Sequence, residues 1–225
     1  MGRRALRKID PNLDISPLLI TVDELPGPCI AAALFGREAP VVVEVGSGKG
    51  LFISTAAAMD RDRDFLGIEI SRKYARFAAA RLVKRNLANA RILHGDARLV
   101  FGDLMPDDSL AEVHVYFPDP WWKKRHKKRR VMNTSFVKDV ERKLVPGGTL
   151  HFWTDVEEYF QTTLDLLSAA TRFAGPCDVP EPPETGDMDY RTHFERRMRL
   201  NRTKVYRAQF RKGATAADGS AEQPA

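Results

Sequence analysis

The chain has 225 residues, 43% hydrophobic and 29% charged, with 36 Lys+Arg against 30 Asp+Glu for a net charge of +6. That length suits one globular domain with a modest appendage, and the composition excludes wholesale disorder. Two cysteines, Cys29 and Cys177, are too few for a disulfide framework or a four-thiolate zinc site and read as incidental thiols of a reducing compartment.

The basic start MGRRALRK has no apolar h-region behind it, and Leu6 stands where a myristoylation signal has Ser or Thr. No apolar run approaches the ~20 residues of a membrane span, so the expected location is the cytoplasm. The positive charge is concentrated. Residues 1–8, the run KKRHKKRR (123–130) and residues 191–212 together carry 20 cations against one acid, Glu195, a net +19; the remainder carries 16 against 29, a net −13. Such a partition predicts a polyanion-binding face, not a scattered solvated surface.

In chain order, VVVEVG (41–46) reads as a buried strand entering a glycine loop, followed by helical spacing in KGLFISTAAAMD and a second strand, FLGIEI (65–70). Residues 71–86 predict a helix capped by Ser71; ARILHGD (90–96) and EVHVYF (112–117) predict strands three and four. A helix over 134–144 has Thr134 as candidate cap and ends at Pro146-Gly147-Gly148. TLHFWTD (149–155) is a fifth strand and 156–172 a further helix. The Pro- and acid-rich stretch 175–190 predicts a loop, THFERRMRLN a short helix, and TKVYRAQFRK (203–212) a last, antiparallel strand at or near an edge. The alternation predicts an α/β fold with a mostly parallel, doubly wound sheet. It divides the chain into a basic N-terminal segment (1–37), a domain (38–212) and a low-complexity, disordered tail (213–225).

Gly46, Gly48 and Gly50 spell G-x-G-x-G directly after a strand, the pattern of a tight turn that lets a ligand approach a helix N-terminus. Glu44 lies inside the apolar strand just before it, where a carboxylate is costly without a partner. Glu69 closes the second strand, placed to accept hydrogen bonds from ribose hydroxyls, and Asp96 closes the third. Carboxylates at successive strand ends line the crevice where open α/β sheets bind ligands; each also reads as a helix cap or surface acid. A dinucleotide loop wants glycine at 51, where this chain has Leu51, and an acidic lining suits the cationic S-adenosylmethionine better than a pyrophosphate.

YFPDPWWKKRHKKRR (116–130) follows the fourth strand. Pro118 and Pro120 stiffen a loop around Asp119, and Trp121 and Trp122 beside the cations offer stacking and phosphate contacts, although either tryptophan also reads as core. His126 reads as one more cationic contact; no His, Cys or Asp spacing makes a metal site. Asp155 reads as a cap of the helix that follows, and Thr192 with Glu195 spells T-x-x-E, a capping box.

VEVGSGKG, GIEI, GDA, FPDPWWKKRHKKRR, TDVEEY and THFE follow one another as in the bacterial tRNA (guanine-N7)-methyltransferases, which the chain resembles over roughly residues 38–211. The resemblance implies the class I S-adenosylmethionine-dependent methyltransferase fold, seven strands with the last antiparallel, and methyl transfer to N7 of the guanosine at tRNA position 46 in the variable loop. It implies that Glu44, Glu69, Asp96 and Asp119 bind the cofactor, with Asp119 also at the reaction centre, and that Lys123, Asp155 and Thr192 to Glu195 bind tRNA. No membrane and no obligate protein partner are expected. The residues before Val41 match the family poorly, so an RNA role for them rests on charge alone.

Overall fold

The computed structural model describes residues 6, 8–25, 27–28, 31–177, 179, 195, 198, 200–201 and 203–213. Its eight strands are β1 (Leu19–Thr21), β2 (Val41–Val45), β3 (Asp64–Glu69), β4 (Ala90–His94), β5 (Leu110–Tyr116), β6 (Leu144–Thr154), β7 (Ala174–Cys177) and β8 (Tyr206–Arg211). The helices are α1 (Ala31–Phe35), α2 (Leu51–Met59), α3 (Arg72–Lys84), the turn α4 (Ala97–Leu99), α5 (Thr134–Lys143) and α6 (Glu157–Ala170). One sheet holds all the strands in the order β1-β4-β3-β2-β5-β6-β8-β7. β1 to β6 run parallel, and β8 lies antiparallel between β6 and β7.

β2 and β3 are buried along their whole length, as central strands of a parallel sheet covered on both faces must be. On β5 and β6 the alternation divides two cores. Val113, Val115, Leu150 and Phe152 pack with Phe136, Val137 and Val140 of α5 and Tyr159 and Leu167 of α6. Tyr116 and Trp153 join Phe52 of α2 and the alanines of α3 on the other face. The small residues Ala75, Ala78 and Ala79 bring α3 close to α2: a Cβ on Gly50 would sit 2.7 Å from the Ala78 Cβ. No described helix is long and apolar enough to cross a membrane.

Several expectations are corrected. Among the described residues there are eight strands against the seven expected, because Leu19–Thr21, within the segment set apart as an N-terminal arm, pairs with β4. Ile9, Leu13, Leu18 and Leu19 pack on the α2/α3 core, so part of that arm belongs to the folded body. Ala174–Cys177, read partly as loop, forms β7. Asn133, not Thr134, caps α5, accepting from the Phe136 N–H at 3.1 Å. Ser71 stands at the α3 N-cap, yet its side chain makes no cap bond. Pro146-Gly147-Gly148 does not end a helix but bulges β6, whose register against β5 jumps from Leu144 to Thr149. Gly148 is required there, since a Cβ would stand 2.9 Å from the Val145 carbonyl oxygen. Glu195, Met198 and Leu200 are helical, while the rest of THFERRM, most of the 175–190 loop, Cys29 and the tail from 214 lie outside the described residues. Cys177 is an exposed free thiol.

Candidate active site

Glu44 and Glu69 lie in the last residues of β2 and β3, and Asp96, Asp119 and Asp155 follow β4, β5 and β6, so the parallel sheet brings these five to one rim. The turn after β2 is held by the N–H groups of Gly46 and Ser47, which donate to the Ile68 carbonyl at 2.8 and 3.1 Å, and by Gly50 donating to Ser47. Gly46, Gly48 and Gly50 have φ of 77°, 54° and 66°, left-handed values that L side chains rarely adopt. A Cβ at Gly46 would meet nothing within 4 Å, so open space adjoins the loop.

Glu44 is only 3% exposed, and its Oε2 has no hydrogen-bond partner. Burial first, and the neighbouring Glu69 carboxylate second, push its pKa well above the usual glutamate range, despite a hydrogen bond from the Ile53 N–H. Glu69 does not lie bare for a ligand. Its Oε2 accepts from the Gly48 N–H and its Oε1 from the Ser71 N–H, both at 2.8 Å, so it ties the glycine loop to the start of α3. Asp96 caps α4, accepting from the Arg98 N–H at 2.9 Å and pairing with its guanidinium at 2.7 Å. The side-chain bond from Arg98 is the main cause holding Asp96 below the usual carboxylate range.

Asp119 is exposed in the loop after β5, between two positive-φ residues, Phe117 (49°) and Trp121 (43°). Arg130 anchors this loop: its Nε donates to the Pro120 carbonyl at 2.7 Å and its guanidinium lies 4.5 Å over the Tyr159 ring. The last cation of KKRHKKRR is therefore buried and structural. Trp121 is half-buried, with Arg129 over its face at 5.1 Å and His126 edge-on at 5.8 Å, whereas Trp122 is 61% exposed. Neither is the core tryptophan; Trp153 is. Lys123 is exposed beside them.

Asp155 is half-buried at the end of β6. Val156 is the N-cap of α6, which has no side-chain cap bond; the Val156 N–H itself donates to Thr154 Oγ1 at 3.2 Å, so Asp155 does not cap that helix. Thr192 lies outside the described residues. Glu195 is fully buried, its carboxylate 3.7 Å from the Arg207 guanidinium, which itself lies 5.0 Å over Trp153. The sheet thus gathers Glu44, the glycine loop, Glu69, Asp96, Asp119 and Asp155 at one end, and sets Glu195 inside the fold.

Sequence reasoning passed over Arg130 and Arg207, and also a polar group on the α2 face of β5 and β6. There Glu112 Oε2 lies 3.0 Å from His114 Nε2 and 3.7 Å from His151 Nε2, and Arg63 pairs with the other oxygen. The His114 bond leads the causes that hold Glu112 down at about 2. The period-2 spacing E-x-H in a strand was the available signal; its third member lies on another strand.

Residues 38–208 match the family model described as "Putative methyltransferase". A curated tRNA (guanine-N(7)-)-methyltransferase of Rhodopirellula baltica is 48% identical over 94% of this chain and 80% of its own length. Another so named, from Halorhodospira halophila, is 37% identical over 87% of this chain and 82% of its own. Among solved structures, the 16S rRNA methyltransferase KamB superposes with a TM-score of 0.60 at 17% identity, covering 82% of this chain and 94% of that one, a likeness of fold.

Proposed function

The chain belongs to the tRNA (guanine-N(7)-)-methyltransferase family, and from that premise we propose that it moves a methyl group from S-adenosylmethionine to N7 of the guanosine at position 46 in the tRNA variable loop. The observation that carries the donor assignment is the unpartnered buried Oε2 of Glu44, beside Glu69, at a glycine turn open on one side. The Glu69 carboxylate disfavours ionisation of the buried Glu44, and a cationic ligand offsets that cost. A phosphate-bearing cofactor would add to the repulsion.

Glu44, Gly46, Gly48, Gly50, Glu69, Asp96 and Asp119 form the donor pocket in this reading. Glu69 shapes it through the Gly48 and Ser71 N–H groups while keeping lone pairs for ribose hydroxyls. When bound, the donor supplies an electrophilic methyl on a sulfonium.

Neutral guanine carries a lone pair and no proton at N7, so the protein needs no general base there. Its task is alignment, an effect worth ~7–11 kcal/mol where reactants are well held. Asp119 sits on a loop fixed by two prolines and by Arg130, and its carboxylate stabilises the positive charge that develops on the base. Lys123, Asp155, Trp122 and Thr192 hold the RNA. Glu195, fully buried with its carboxylate 3.7 Å from the Arg207 guanidinium, acts as a positioning residue rather than a direct substrate contact.

The test is incubation of the full chain with unmodified tRNA and methyl-labelled donor, then nuclease digestion and mass spectrometry. Label on N7 of the variable-loop guanosine is expected. Label on an exocyclic amine, or none, overturns the reading.

A further inference from the structure

The geometry points to a second function on the same face of the sheet: we infer that Glu112, His114 and His151 bind a divalent transition metal of the zinc class, on strands whose register sets His114 beside Glu44. The alternation of β5 puts Glu112, His114 and Tyr116 on its α2 face, and the parallel register sets His114 beside His151 on β6. Both Nε2 atoms converge on one oxygen, Glu112 Oε2, at 3.0 and 3.7 Å. One donor atom from each residue lies within 4.8 Å of the other two. A tetrahedral shell with bonds of ~2.0–2.1 Å sets its donors ~3.4 Å apart, between the two observed separations.

The surroundings are those a metal site needs. A ligating histidine is held by what its other nitrogen bonds to, and His114 Nδ1 lies 2.7 Å from the Tyr116 hydroxyl. Arg63 occupies Glu112 Oε1 and leaves Oε2 to the ion. His114 is locked between Phe52, 4.7 Å away, and His151, stacked at 4.4 Å and 11°. Parallel rings cannot both hold an ion in plane, so binding tilts one of them. His151 is the more exposed of the two, 12% against 2% for His114; its Nε2 also lies 3.2 Å from Thr149 Oγ1, a contact the ion displaces, and Glu112, 26% exposed, opens the site to solvent. Two imidazoles and a carboxylate leave a fourth position for water. The donor set is that of Zn2+ and Co2+, not of Mg2+ or Ca2+, which prefer oxygen. Joining β5 to β6, the ion acts as a cross-strand staple.

Chelator-treated full-length protein is titrated with Zn2+ by calorimetry and with Co2+ by visible absorption. The inference expects a single equivalent of either ion, a tetrahedral Co2+ d–d band, and a Tm that climbs with Zn2+ concentration. His151→Gln and Glu112→Gln each weaken binding at least ~10-fold, and Tyr116→Phe also weakens it. Because His114→Gln alters a buried position, the exposed-side variants carry the test, with their metal-free Tm as the folding control. No heat, no band and no Tm shift overturns the site. So does undiminished affinity in the His151→Gln/Glu112→Gln double variant, which places the ion elsewhere. Then the cluster is a hydrogen-bonded network only.

Discussion

At the scale of single residues, Glu44 is the clearest case of burial doing chemical work. Its folded-state pKa is raised, so the folded protein keeps a proton that the unfolded chain releases near the ordinary glutamate value. Stability therefore falls as pH rises from that value through the raised one. Without ligand, Glu44→Gln should melt a few degrees above wild type at about pH 8, the gap narrowing as pH falls and closing below about pH 4, as thermal scans across pH will check. The same variant should bind the methyl donor at least ~10-fold more weakly, since the carboxylate that answers a sulfonium is gone. Asp119 poses the complementary case, an exposed acid placed by backbone alone. Asp119→Ala should cost on the order of 10²–10³ in turnover on tRNA, with its Tm unchanged. Near wild-type turnover would remove its role.

At the scale of elements, the fully buried Glu195 has the Arg207 guanidinium 3.7 Å from its carboxylate. Replacing Arg207 by Met leaves Glu195 without that charge inside the fold, a change that costs ~3–5 kcal/mol when a buried pair is broken. If the loss is taken locally, around Glu195, KM for tRNA should rise ~10-fold with donor affinity held, and Arg207→Lys should recover part of it. A global loss shows instead as a lower Tm. The central strands were legible because a parallel sheet buried on both faces demands unbroken runs such as VVVEV and FLGIE. β7 was not: AGPC has no strand character of its own and becomes a strand only through its pairing with β8. The rim carboxylates could be read off strand ends, since parallel strands all deliver their C-termini to one side. That Glu69 would be engaged by Gly48 and Ser71, or that T-x-x-E would carry its Glu into the interior, depends on contacts between distant segments. A capping box and a buried anchor share one spelling.

At the scale of the whole molecule, the division into three basic segments and an acidic remainder needs amending. Arg130 leaves the RNA-facing set, and α3 enters the account with Arg72, Lys73 and Arg76 exposed on its first turns, near the rim that holds Glu69. Affinity for tRNA should fall steeply between ~50 and ~200 mM salt, and Lys123→Ala should reduce the slope of log K against log salt by about one, as filter binding across a salt series will measure. A flat salt response would count against the basic face. The sheet itself carries a quieter consequence. Its two rims are β1, three residues long, and β7, four residues with a proline, so an approaching chain finds almost no ladder to extend. Residues 19–21 thus chaperone their own neighbour: without them the five-residue border of β4 would stand open as a template for polymerisation, and the price of losing the least conspicuous strand would be colloidal rather than catalytic.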